Sequence, residues 1–222
     1  MNKRTTTRDL VLIALFVAII AVLAQITIPL PLVPLTMQTF AVPLAGVVLG
    51  ARRGVIATLL YLLLGALGAP VFSAFQGGFG MLIGTSGGYL LSFPLVALIA
   101  GLAADKFLKR STNSRNKLNN TDGTNSLNIS NSDPISNSSN PAGNPSALSS
   151  KIPYVWLALA LILGAALNLT LGSLQIAAIT QIGLPAAFLA GMTPFIIPEL
   201  LKIILVLVIA PPLRRAIENQ TS

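Results

Sequence analysis

The sequence predicts an all-α integral membrane protein: a compact bundle of six transmembrane helices, with both termini cytoplasmic. Three observations carry that expectation. Of the 222 residues, 54% are hydrophobic and only 9% are charged, against about 25% charge in ordinary soluble domains, and the mean hydropathy is +0.80. The apolar residues gather into long runs, and a helix needs about 20 residues to cross the hydrocarbon of a bilayer. Finally, all the basic residues but one sit at alternate ends of those runs.

The first run covers residues 10–28, and Pro29, Pro31 and Pro34 then break it into the loop "PLPLVPLTMQ", since proline removes a helical donor and fixes φ. A short run at 40–50 ends at Arg52 and Arg53. The third, 55–67, leads into the glycine- and aromatic-rich "GAPVFSAFQGGFG". The fourth starts near Met81 and ends near Asp105, and a polar block at 111–150 follows. The fifth covers 153–179, long enough for an interruption near Gly172. The last, 194–213, is stopped by Pro211, Pro212 and two arginines.

Lys3, Arg4 and Arg8 precede the first run, and Arg52 and Arg53 separate the second from the third. Lys106, Lys109, Arg110, Arg115, Lys117 and Lys151 lie between the fourth and fifth, and Arg214 and Arg215 follow the sixth. With six crossings, all of these fall on one side, which the positive-inside rule makes the cytoplasm. The three opposite loops hold no Lys, Arg, Asp or Glu. The net charge of +8 is thereby a topology signal, and nucleic acid is not an expected partner. The expected location is a bacterial-type cell membrane, multi-pass, in contact with lipid.

The chain has no cysteine and no histidine, which excludes disulfides, thiolate or imidazole metal sites and an imidazole base; no metal and no cofactor are expected. The whole chain, 1–222, is expected to be one transmembrane domain. Within it, the Asn/Ser-rich segment 111–150 has too few large apolar groups to offset its ordering entropy, and is expected to be a disordered cytoplasmic insert without a function. Its N-x-S/T triplets would be glycosylation sites only in a secretory lumen, and the charge pattern places them in the cytosol.

One basic residue remains, Lys202, and of the six acids only Glu199 lies within a run. A lone charge at the bilayer centre costs about 2.5–3.5 kcal/mol on the gentler scale, whereas the i, i+3 spacing puts these two on one helix face. Counting back from Arg214 at about 1.5 Å per residue, Glu199 is expected roughly 22 Å up a core about 30 Å thick. Pro198 suits a first-turn position, which would set Glu199 at the positive end of a helix dipole. Two readings are open: an ion pair that only fixes packing, or a polar ligand site facing outward. The second is favoured because both irregular loops fall on the same outer side, and non-helical backbone at membrane depth is tolerated only where it lines protein or a cavity.

Those loops offer further ligand groups. Thr36 and Gln38 come from "PLTMQTF"; Phe72, Phe75 and Phe79 offer walls and Gln76 a polar contact in "PVFSAFQGGFG"; Ser86 and Tyr89 come from "GTSGGYLLSF". An apolar wall with a few convergent polar groups suits a small amphipathic ligand.

The stretch "PLPLVPLTMQTFAVPLAGVVLGARRGVIATLLYLLLGALGAPVF", with "GGFGMLIGTSGGYLLSFP" and an acidic residue three before a lysine in the last run, resembles the BioY family. These are the biotin-binding membrane subunits, or S components, of energy-coupling factor (ECF) transporters. The resemblance covers nearly everything except 111–150. It implies six helices, a biotin pocket near the outer face closed by the first and third loops, and ligand contacts from Glu199, Lys202, Gln76 and Tyr89. The sequence departs from the family pattern in lacking a proline at Thr85-Ser86-Gly87-Gly88-Tyr89, in the bulkier Phe72-Ser73-Ala74-Phe75, and in Glu199 where Asp is frequent. The resemblance also implies docking to a transmembrane coupling subunit through small residues of the first helix, here Ala14, Ala18 and Ala21 on one stripe, a geometry that lets helices approach closely.

The chain holds no G-x-x-x-x-G-K-[ST] loop, the phosphate cradle of many ATPases. Concentrative transport would therefore draw on separate ABC-type ATPase subunits, and the chain itself is expected to be no enzyme. Two other classes were weighed. One is a standalone facilitator or channel for a small solute. The other is an intramembrane hydrolase, since "GTSG" is similar to the G-x-S-G of rhomboid-like serine proteases. That would need a Ser86–Lys202 dyad in place of the usual histidine base.

Overall fold

The computed structural model describes residues 7–125 and 152–219. Its regular structure is helical apart from one two-residue strand pair. In chain order the elements are α1 Thr7–Ala24, β1 Thr27–Ile28, β2 Leu35–Thr36, α2 Gln38–Leu49, α3 Ala51–Ala66, α4 Gly80–Ile83, α5 Gly87–Asn125, α6 Ile152–Thr180 and α7 Leu184–Asn219. β1 and β2 pair antiparallel, Thr27 with Thr36 and Ile28 with Leu35. The proline-rich stretch thus folds back as a hairpin rather than trailing into solvent.

α2 is the centre. Every residue from Phe40 to Leu49 is buried, with helices on all sides of it. α1 buries Ile13, Phe16, Val17, Ile20 and Ala24, the i, i+3, i+4, i+7 stripe of a helix with one inward face. Its outer face is equally apolar, with Leu10, Val11, Leu15 and Val22 all exposed. A helix apolar on both faces but covered on only one is built for a hydrocarbon solvent. Four helices are long and apolar enough to cross a membrane: Thr7–Ala24, Gly87–Lys106, Tyr154–Thr180 and Leu184–Arg214. The protein is a multi-pass membrane protein.

The two ends of the bundle differ. At one end Arg53 pairs with Asp9 at 2.9 Å, Arg8 donates to the carbonyl of Ile217 at 2.8 Å, and Arg214 pairs with Asp105 at 2.6 Å. The same Arg214 donates to the carbonyl of Val47, and Asp105 accepts from the amide of Ala51, the first residue of α3. At the other end meet the hairpin, the 68–86 segment and the start of α7. Arg214 is buried at the ionic end, and Asp105 neutralises it from a neighbouring helix.

Helix boundaries differ from the sequence expectation in informative ways. α7 begins at Leu184, ten residues before the expected Pro194, and runs through Pro194, Pro198, Pro211 and Pro212. The break from α6 lies instead at Gln181, which has a positive φ of 55°, and it is Pro185 that stands at the helix start, where the missing N–H costs nothing. Pro198 is therefore an interior residue and Glu199 lies well past the first turn. Interior prolines persist because neighbouring helices support a membrane helix whose ladder has gaps. α6 is unbroken at Gly172. The reason for that glycine is packing: a Cβ there would lie 2.2 Å from Tyr89 Cζ. α5 continues past residue 105 to Asn125, into residues 111–125 of the expected disordered insert; no proline stops it before Pro134. The rest of that insert, 126–150, lies outside the described residues.

Candidate functional site

The turn between β2 and α2 and the middle of α7 come together around the charged pair. Lys202 Nζ lies 3.1 Å from Glu199 Oε1, 2.7 Å from the Thr36 carbonyl and 2.6 Å from Thr39 Oγ1. An ammonium has three protons, and each has a protein acceptor here. Thr39 Oγ1, already receiving from Lys202, can only donate onward, and it does so to Glu199 Oε1 at 2.5 Å. One carboxylate oxygen thus holds two donors. The other, Oε2, has no protein donor among the described residues, and Glu199 lines a cleft.

That cleft is walled by Val33, Leu35, Phe72, Tyr89, Leu169 and Phe195, with Thr36, Gln38, Thr39, Ser73, Ser86 and Glu199 as its polar members. Its cavity volume is about 30 Å³, room for two or three waters at about 10–15 Å³ each. The hydroxyls of Ser73 and Ser86 make no hydrogen bond to the protein among the described residues and face the same space.

Behind the wall runs a chain of polar contacts. The Thr36 hydroxyl donates to Gln38 Oε1 at 3.3 Å. Gln38 Nε2 donates to the Tyr61 hydroxyl at 2.6 Å, which in turn donates to the Val71 carbonyl at 3.0 Å. Phe72, fully buried, stacks edge-on against Tyr61 at 5.6 Å and presses on Gly65, where a Cβ would meet its ring at 2.1 Å. Tyr89 donates to the Gly191 carbonyl at 2.8 Å and packs on Phe195 at 5.9 Å.

Of the residues singled out from sequence, Thr36, Gln38, Phe72, Ser86, Tyr89 and Glu199 share the cleft, and Lys202 lies directly behind it. Gln76 and Phe75 do not line it. Both are exposed on the outer loop, because the turn at Ala74 and Phe75 rotates Phe72 and Ser73 inward instead. Phe79 is likewise exposed. Ser86 is not among the partners of Lys202, whose protons go to Thr36, Thr39 and Glu199; the dyad a hydrolase would need is not formed. Ala14 and Ala18 are exposed on α1, while Ala21 is half-buried against the core.

Several residues of the arrangement escaped the sequence reading: Thr39, Ser73, Tyr61 and Phe195 in or behind the cleft, and Gln25, Gln175 and Thr85 around it. Gln175 donates to the carbonyls of Leu82 and Gly84, and Thr85 to that of Leu32, so the outer loops are tied to α6 and to each other. The signal that could have found Gln25, Tyr61 and Gln175 is the one used for the charged pair: a polar side chain in an apolar helix requires a partner.

The sequence model of the BioY family matches residues 1–219. The biotin transporter BioY2 of Lactococcus lactis subsp. cremoris is 33% identical over 217 residues, covering 98% of this chain and 96% of that protein. The biotin transporter BioY of Thermotoga maritima is 48% identical over 99 residues, covering 45% of this chain and 59% of that protein. With that relative and a similar one from Pyrococcus horikoshii, the match spans about three fifths of the relative's length. Among solved structures, a crystal structure of the S-component for biotin from an ECF-type ABC transporter superposes with a TM-score of 0.68 at 22% identity, covering 97% of this chain and 95% of that one. The fold is shared.

Proposed function

The chain belongs to the BioY family, and from that membership we propose that it is the membrane-embedded subunit that captures biotin for an ECF-type, ATP-driven vitamin transporter. The observation that carries the reading is Glu199, which lines an otherwise largely apolar cleft and whose Oε2 has no protein donor among the described residues. Biotin pairs a polar ureido head with an apolar ring and chain, so it is the kind of ligand such a cleft takes. Glu199, Thr36, Gln38, Ser86 and Tyr89 are its contacts in this reading. Lys202 holds the carboxylate and the β2–α2 turn in place, with its protons already committed. Gln76 and Phe75 contribute only if the outer loop moves, and entry requires such movement, given how little room the cleft leaves.

The same reading has six crossings with both ends of the chain on the cytoplasmic side. α2, with 12 residues, spans only about 18 Å at 1.5 Å per residue. The hairpin before it continues that crossing, with Val33 and Thr36 buried and Ile28 and Leu32 exposed. The ionic end, with Arg8, Arg53 and Arg214, is the cytoplasmic one, and the segment 111–150 extends from that side. The exposed Ala14 and Ala18 with the half-buried Ala21 form the face that meets a transmembrane coupling subunit, and partner ABC-type ATPases supply the energy. Reorientation of the loaded subunit within that complex releases biotin inward.

Equilibrium binding of biotin to the purified full chain in detergent tests the assignment. Tight binding is expected, and Lys202→Ala is expected to abolish it. Binding unaffected by that change would remove this site, and ATPase-independent uptake would favour a standalone facilitator.

A further inference from the structure

The described loop that carries Phe72 and Ser73 to the cleft is an unusual piece of backbone. Ala74 and Phe75 are consecutive non-glycine residues with φ of 55° and 57°, a left-handed region that residues bearing a Cβ seldom enter. The turn closes on itself at two points only. The Phe72 amide donates to the Gln76 carbonyl at 2.9 Å, and the Gln76 amide to that of Ser73 at 3.2 Å. A strained turn persists only where its surroundings over-determine it, so its outside partners matter.

One of them is Gln25, just past the end of α1. Its Nε2 donates to the Phe72 carbonyl at 3.1 Å, to the Val71 carbonyl more distantly at 3.5 Å, and back to the Ala21 carbonyl of its own helix at 3.0 Å. Its Oε1 accepts from the Phe75 amide at 2.8 Å. The primary amide is matched on both sides: nitrogen on carbonyls, oxygen on an N–H, an arrangement no flipped amide could satisfy. Gln25 therefore supports the turn at its first carbonyl, that of Phe72, and at the amide joining its left-handed pair, while Ala21 anchors the Gln25 amide itself. The second outside partner, the Tyr61 hydroxyl on Val71, holds only the residue before the turn.

We propose that Gln25 is a positioning residue that fastens the Phe72–Gln76 turn across the cleft and so sets how long a bound ligand is retained. It touches no part of the cleft and acts through Phe72 and Ser73, which do. Losing it leaves a carbonyl and an amide of the strained turn without partners, and the relaxed alternative withdraws the Phe72 wall. The proposal rests on the reading of the cleft as the biotin site.

The test uses the purified full chain, wild type and Gln25→Met, with biotin as the probe. In wild type the Phe75 amide is expected to be protected in hydrogen exchange; an amide exchanging there at the rate of an open loop overturns the proposal even if no variant folds. Gln25→Met is expected to lose that protection locally and to release biotin roughly tenfold faster, with association no slower and the melting midpoint little changed. Gln25→Glu keeps the acceptor for Phe75 and loses the donors, so it is expected to fall between. Wild-type release rates in Gln25→Met overturn this inference alone, whereas no biotin binding by wild type overturns the function reading beneath it.

Discussion

Lys202 Nζ lies 2.6 Å from Thr39 Oγ1, and the same hydroxyl lies 2.5 Å from Glu199 Oε1. A threonine that sequence alone gave no reason to select thus bridges the two charges that sequence made conspicuous. Because the lysine can only donate, the direction of the bridge is fixed. The carboxylate is held by one oxygen, and Glu199 also lines the cleft.

Thr39→Val keeps the shape of the side chain and removes the bridge. It leaves Lys202 one acceptor short and frees the Glu199 carboxylate to rotate. A hydrogen bond to a charged group contributes about 1.5–3 kcal/mol, so biotin affinity is expected to fall about 10- to 100-fold, with Thr39→Ser close to wild type. Equilibrium binding in detergent measures both.

Removing one partner of a buried pair leaves the other uncompensated, at a cost of about 3–5 kcal/mol. Glu199→Gln and Lys202→Met are each expected to lower the thermal midpoint. The double variant is expected to regain stability, since no ion is then buried, yet not to regain biotin binding. A double variant that bound as wild type would detach the pair from the ligand.

Gly172→Ala tests the packing of Tyr89. The new Cβ would lie 2.2 Å from the ring, so α6 or Tyr89 must shift, and overpacking of this kind costs about 1–3 kcal/mol. Reduced stability together with weaker biotin binding is expected. Thermal denaturation and binding on one preparation measure the two effects.

The ionic end is expected to behave differently. Asp105 is partly exposed, so Asp105→Asn is expected to cost only about 1–2 kcal/mol through the weakened Arg214 pair and the lost hold on the α3 amide. Biotin affinity is expected to be unchanged, because the cluster lies at the opposite end of the bundle from the cleft.

The chain has no cysteine, so single introduced cysteines report the topology directly. In intact cells a membrane-impermeant thiol reagent is expected to label Gln76→Cys and to label Arg52→Cys only after permeabilisation. Labelling of both from outside would contradict the orientation derived from the arginines.

The helical, multi-pass character of the chain and the prominence of Glu199 and Lys202 were legible because a hydrocarbon solvent penalises every charge and every unpaired backbone group residue by residue. Such penalties depend on composition and spacing, which a sequence displays. Prolines misled at the start of α7, because helix breaking is a local rule that neighbouring helices override. Thr39, Tyr61 and Gln25 were invisible for a related reason: neutral polar groups declare a role only once their partners are known, and those partners, Lys202, Val71 and Phe75, are brought to them by the fold. Which oxygen of Glu199 takes the two donors, and that Phe72 rather than Phe75 walls the cleft, depends on contacts between segments far apart in the chain. Only the tertiary structure decides those.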